Sequence, residues 1–172
     1  MRIFYDTEFL ERGPKHPIDL ISIGMVREDG AEYYAISSEF DATAVRAHPW
    51  LRENVWPYLP QLNNGALDVR HIDVKPRHVI AAEVASFVRE KPRPELWAYY
   101  GAYDHVALCQ LFGRMADLPD GFPMWTNDLM QEITRLGIAR DELPEQGQNL
   151  HKAIDDARWN RDAARVVREL AL

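Results

Sequence analysis

Three strand-like segments crowd into the first 37 residues, and they dictate most of what this chain can fold into. Arg2-Ile3-Phe4-Tyr5-Asp6 is an apolar run that ends on an acid. A loop follows, marked by Gly13, Pro14 and Pro17. Leu20-Ile21-Ser22-Ile23-Gly24-Met25-Val26 is rich in β-branched residues and predicts a second strand. Glu28-Asp29-Gly30 is a turn signal, and Glu32-Tyr33-Tyr34-Ala35-Ile36-Ser37 predicts a third strand. Residues 20–37 therefore read as an antiparallel hairpin.

After Phe40 the pattern becomes helical. Asp41 or Thr43 can cap a helix that runs toward Trp50 and Val55 and ends at Pro57 and Pro60. Residues 61–76 look irregular. A helix is expected from about Arg77 to Arg89, with Val79, Ala82, Phe87 and Val88 among its apolar positions, and Lys91-Pro92-Arg93-Pro94 stops it. Leu96-Trp97-Ala98-Tyr99-Tyr100 predicts a fourth strand. Asp104 to Phe112 reads as a helix with Val106, Leu108, Leu111 and Phe112 toward the core, and 119–123 as a loop. Thr126, Asn127 or Asp128 caps a short helix ending near Gly137. Residues 139–149 read as a loop. The longest helix is expected over Lys152–Leu170, with Ala153, Ile154, Ala157, Ala164, Val167 and Ala171 at helical spacing. Strands first and helices after give an α/β fold with a mixed central sheet flanked by helices, as a single domain over 1–172.

Bulk properties narrow the function. The chain is 47% hydrophobic and 27% charged, which suits a soluble globular domain. No run is long enough for a membrane span, and Asp6, Glu8, Glu11 and Arg12 interrupt any signal-peptide core. Cys109 is the lone cysteine, so no intramolecular disulfide is expected; a reducing cytoplasm fits, with Cys109 as a core residue. The net charge of −7 argues against a long phosphate-tracking groove. Bound divalent cations would supply positive charge locally, which favours a short or terminal contact.

Asp6 and Glu8 lie two apart at a strand end, so their side chains share one face. Such a pair repels unless a cation sits between. Asp104 follows a strand in Gly101-Ala102-Tyr103-Asp104-His105, where the small Gly101 and Ala102 let the carboxylate reach the sheet edge. In His151-Lys152-Ala153-Ile154-Asp155-Asp156-Ala157, the small Ala153 and Ala157 let the helix approach the sheet. Asp156 then points to the sheet edge and Asp155 more to solvent, while His151 can swing over the same place. Each element alone has a bland explanation: a solvated strand end, a helix cap, a surface histidine.

Together, the DxE pair, the Asp at a strand-to-helix junction and the HxAxxD segment resemble the DEDDh 3′→5′ exonucleases of the ribonuclease-H-like fold. That group includes ribonuclease T, oligoribonuclease and bacterial proofreading subunits. Tyr5-Asp6-Thr7-Glu8-Phe9, Leu20–Gly24, Glu32–Ala35 and Gly101–Leu111 are similar to the actinobacterial exoribonuclease branch known from mycobacteria. The resemblance implies that Asp6, Glu8, Asp104 and Asp156 hold two Mg²⁺ ions, with Mn²⁺ also supporting activity, and that His151 is the general base. It implies release of nucleoside 5′-monophosphates from RNA 3′ ends, single-stranded or as overhangs. Thr7, Glu8 and Phe9 would meet the terminal sugar and base. Many relatives carry Asn where this chain has Tyr100, so that residue's role does not transfer. Relatives commonly form homodimers, which leaves a homodimer open here.

Two alternatives stand beside this one. The same chemistry could act on DNA or on very short oligonucleotides. A non-catalytic nucleic-acid-binding module would instead have a broken acidic set and a basic surface, neither of which the sequence has. Trp97, Tyr99 and Tyr103 are expected mainly as core, and His16, His48, His71, His78 and His105 as structural or solvated.

Overall fold

The computed structural model describes residues 1–147 and 151–171. Strand β1 (Arg2–Leu10) pairs antiparallel with β2 (Asp19–Arg27), which pairs antiparallel with β3 (Glu32–Ser37). Two-residue β4 (Val74–Lys75) adds parallel to β3. On the other side of β1, β5 (Glu95–Ala98) and two-residue β6 (Asn127–Asp128) continue in parallel. The mixed sheet runs β4-β3-β2-β1-β5-β6, so β1 is central and joins an antiparallel half to a parallel half.

Alternation along β1 assigns its side chains to two layers. Ile3 and Tyr5 pack with Ile80, Val84 and Val88 of α3 (Arg77–Arg89) and Leu108 of α4 (Ala102–Gln110). Phe4, on the opposite face, packs with Leu129 and Ile133 of α5 (Leu129–Leu136) and Trp159, Ala163 and Val167 of α6 (Ala153–Leu170). Asp6 and Glu8 continue the Phe4 face, which places them under α6. A register shift between Glu8 and Phe9 breaks the ladder where β1 leaves the acidic pair.

The hairpin, α3 and α6 lie where the pattern predicts them. Several details differ. The helix expected from Asp41 to Val55 is two: α1 (Ala42–Ala47) and α2 (Pro49–Asn54). His48 ends the first, and its Nδ1 accepts from Leu51 N at 3.3 Å to cap the second, while Pro49 occupies the first helical position. β1 extends to Leu10, so Thr7 to Phe9 are strand. The segment 61–76 contributes β4. Asp128 caps α5 through Met130 N and also ends the short β6. Tyr99 and Tyr100 lie beyond β5, and α4 begins at Ala102 rather than Asp104. Within 139–149, Arg140–Glu142 forms one helical turn, and residues 148 and 149 lie outside the described residues. Val106, expected toward the core, is exposed on the outer side of α4; Ala82 is exposed too, and Ala171 is exposed just beyond the end of α6.

Candidate active site

The site forms where β1, α4 and α6 converge, and two small residues make the convergence possible. Asp6 pairs with Gly24 across the β1–β2 ladder. A Cβ on Gly24 would lie 2.4 Å from the Ala153 carbonyl and the Ile154 Cα at the start of α6. Only a glycine there lets the helix start rest on the strand backbone. Asn160 Nδ2 donates to the Tyr5 carbonyl at 3.0 Å, tying α6 to β1 one residue before Asp6. At the second junction, a Cβ on Gly101 would lie 2.6 Å from the Ala98 Cβ. The Asp128 carboxylate accepts from Tyr100 N at 3.3 Å and Gly101 N at 3.1 Å, which holds the turn into α4. Tyr100 sits there at φ 56°, outside the helix it precedes.

Asp104 enters from the α4 side and is met by Thr7. The Thr7 N–H donates to Asp104 Oδ1 at 2.8 Å and the Thr7 hydroxyl at 2.6 Å. The Thr7 hydroxyl, expected near the substrate, therefore orients an acid. Asp156 comes from α6 and accepts the His151 backbone N–H at 2.8 Å. One ligand-type atom each from Glu8, His151 and Asp156 lies within 4.8 Å of the others. Asp155 turns to Arg158, which also pairs with Glu32, so the two neighbouring aspartates do part as predicted.

All four carboxyls are pushed up. Burial raises Asp6 well above its ordinary range, reinforced by Asp104, Glu8 and Asp156. Glu8, 7% exposed, is raised by burial and then by Asp156 and Asp104. Burial takes Asp104 to about 6 against the lowering effect of the two Thr7 bonds. Asp156 is raised by burial and partly restored by the His151 N–H. Groups of one sign are crowded together, offset only in part by the Thr7 and His151 donors.

A cleft of about 550 Å³ opens over these groups. Asp6, Glu8, Glu11, Asp104 and Asp156 line it beside His151, with no Lys or Arg among the described lining residues. Phe9 and Tyr103 form one wall, stacked at 5.9 Å between centroids with 12° between planes. Tyr103 is 49% exposed, so it belongs to the cleft and not to the core as expected. Tyr99 stays half-buried against Trp159 and Tyr100, and Trp97 is half-buried too. Cys109 is buried, as predicted. His105 bonds to the Met124 carbonyl at 3.0 Å, and His48 is a cap.

Sequence reasoning missed Trp50, Gln146 and Asn160 in the lining, and the roles of Gly24 and Asp128. Gly24 carried a readable signal, since a lone glycine inside a β-branched strand marks close backbone approach. Trp50 carried none, because its place depends on how α2 packs.

An acidic cleft with aromatic walls and, among the described residues, no Lys or Arg is of the kind that can hold cations. Comparison with known proteins narrows that class. The chain belongs to the 3'-5' exoribonuclease Rv2179c-like domain family, whose model matches residues 1–168. It is 45% identical over 160 residues to 3'-5' exoribonuclease Rv2179c of Mycobacterium tuberculosis (strain ATCC 25618 / H37Rv), covering 92% of this chain and 88% of the relative. The same figures hold for 3'-5' exoribonuclease MT2234.1 of M. tuberculosis (strain CDC 1551 / Oshkosh). Among the described residues, no helix is long and apolar enough to cross a membrane.

Proposed function

We propose that this protein is a metal-dependent 3′→5′ exoribonuclease that hydrolyses RNA from its 3′ end and releases nucleoside 5′-monophosphates. The observation that carries the reading is the convergence of Asp6, Glu8, Asp104 and Asp156 in one cleft that has no Lys or Arg among its described lining residues. Family membership supports the activity and the RNA substrate, since both M. tuberculosis relatives are named 3'-5' exoribonucleases. The sheet order, with an antiparallel half joined through β1 to a parallel half, supports a ribonuclease-H-like fold and the DEDDh assignment. We take residues 1–172 as one catalytic domain acting in the cytoplasm.

The donor set fits two divalent cations. Four carboxylates are hard oxygen donors of the kind Mg²⁺ prefers, and Mn²⁺ accepts the same set. Their mutual repulsion is what a bound cation would relieve. When bound, the cations lower the pKa of the attacking water and neutralise charge on the departing oxygen.

The chain's own residues do the rest. Thr7 fixes one oxygen of Asp104 with two donors, so that carboxylate enters the site already oriented. Asp156 is held in place by the His151 main chain. His151 takes the proton of the attacking water on an imidazole nitrogen, the task of a general base. Glu8 accepts a hydrogen bond from the terminal 3′-OH. The partly exposed Phe9, stiffened by its stack on Tyr103, meets the terminal base.

The test is a side-by-side degradation assay on single-stranded RNA, overhang duplex RNA and matched DNA, with Mg²⁺ and with EDTA. RNA is expected to shorten from the 3′ end with Mg²⁺ only. Loss of neither RNA nor DNA with metal present would end the enzymatic reading, and faster loss of DNA would move the substrate.

A further inference from the structure

The Asp156 carboxylate hydrogen-bonds the main chain of His151, while a ring nitrogen lies within 4.8 Å of the Glu8 and Asp156 oxygens. His151 adopts φ 68°, a left-handed conformation that a non-glycine residue takes only when held, and its N–H is fixed on Asp156. Two side-chain torsions are still open. Among the described residues, neither imidazole nitrogen has a hydrogen-bond partner of the kind that His48, His71 and His105 all have. The ring packs against Trp50. The centroids are 4.6 Å apart and the planes meet at 70°, an edge-to-face contact.

Trp50 reaches this contact from a separate packing unit. It sits on α2, whose Leu51 is buried in a cluster with Ile21, Phe40, Val45 and Val55. The α6 layer packs elsewhere, against Phe4, Leu129 and Ile133. The Trp50–His151 contact therefore joins two packing clusters across the cleft. Trp50 itself is 46% exposed and lines the cleft, so burial is not what keeps a large indole there.

We propose that Trp50 is a positioning residue that holds the His151 imidazole over the acidic cleft in the orientation proton removal needs. The proposal rests on His151 being the general base. An aromatic support suits that task. A hydrogen-bonding partner would occupy one ring nitrogen and fix the tautomer, whereas an aromatic contact orients the ring without engaging a nitrogen as donor or acceptor. Trp50 acts through His151 and not on the RNA.

A double-mutant cycle on turnover, with Mg²⁺ and a single-stranded RNA oligonucleotide, isolates that coupling. Trp50→Ala is expected to lower kcat about tenfold with KM nearly unchanged, and Trp50→Phe to restore most of it. In a His151→Ala background, Trp50→Ala is expected to cause no further loss. A rise in KM at constant kcat would make Trp50 a base contact and overturn the proposal. So would an equal fold-loss from Trp50→Ala in both backgrounds. Unchanged turnover in His151→Ala alone would refute the base assignment instead, a distinct result. Where residual turnover is too low to follow, proton NMR of the chelated protein decides. The His151 ring resonances, assigned by their loss in His151→Ala, are expected to carry a ring-current displacement that Trp50→Ala removes. Resonances at random-coil positions in the parent would overturn the proposal without any activity measurement.

Discussion

Asp104→Asn is expected to stabilise the metal-free protein while destroying its activity. Burial holds the Asp104 carboxyl at about 6, against an ordinary 3.8. At about 1.4 kcal/mol per tenfold, that gap corresponds to about 3 kcal/mol of destabilisation once the group ionises in the folded state. The sign follows from the raised value. Asp104 contributes its full stability below its unfolded pKa and loses it as pH rises through about 6. Asparagine removes the charge but keeps an Oδ1 that accepts both Thr7 donors. In EDTA at pH 7.5 the variant is expected to melt higher, by up to roughly 6–12 °C for a domain of this size. At pH 4 the two melting points should converge, because the parent carboxyl is then protonated in the fold. Saturating Mn²⁺ should reverse the order at neutral pH. A cation at a thousand times its Kd stabilises the parent by about 4.1 kcal/mol, more than the gap of about 3 kcal/mol, and the variant lacks one of the proposed ligands. Differential scanning fluorimetry across pH, with and without metal, reads all three comparisons. A variant no more stable than the parent in EDTA at pH 7.5 would refute the reasoning, as would an advantage that persists unchanged at pH 4.

Other substitutions separate the roles within the site. Asp6→Ala should lower turnover more than roughly 100-fold, the upper range for losing an outer-sphere partner of a metal site. Asp155→Ala should leave most activity, because Asp155 is turned to Arg158; equal losses at Asp155 and Asp156 would show the face of α6 to be misassigned. His151→Ala should reduce kcat by about 10²–10⁴-fold while calorimetry still detects Mn²⁺ binding; loss of binding would make it a ligand. Gly24→Ala must displace the start of α6, since its Cβ would sit 2.4 Å from that backbone and ordinary contact begins near 3.4 Å. A shift of about 1 Å costs on the order of 10²-fold in rate, so Gly24→Ala with parental activity and Mn²⁺ affinity would contradict the packing.

The acidic site was legible because its parts are local patterns with directional consequences. Asp6 and Glu8 inherit a common face from strand alternation, and Asp156 inherits its direction from the small residues around it on α6. Elements set by long runs of one periodicity, such as β2 and α6, are readable for the same reason. What escaped was set by distant partners. His48 and Pro49 divide one helical pattern into two, because the His48 side chain prefers the Leu51 N–H to continuing α1. Val74–Lys75 and Asn127–Asp128 are strands only because a neighbour offers them an edge. Tyr103 reads as an interior aromatic until Phe9 is found to draw it into the cleft wall.

The contact between Gly24 and the Ala153 carbonyl has one further consequence. Main chain meets main chain there, with no side chain between, so the separation of β1 and β2 from the start of α6 has no rotamer to relax through. Asp6 hangs from one side of that contact and Asp156 from the other. The breadth of the acidic cleft is thus a dimension of the backbone, like the spacing between strands. Repacking Ile3, Leu96 or Val167 can soften or harden the fold around it, but the main-chain gauge from which the two carboxylates extend stays as the glycine sets it.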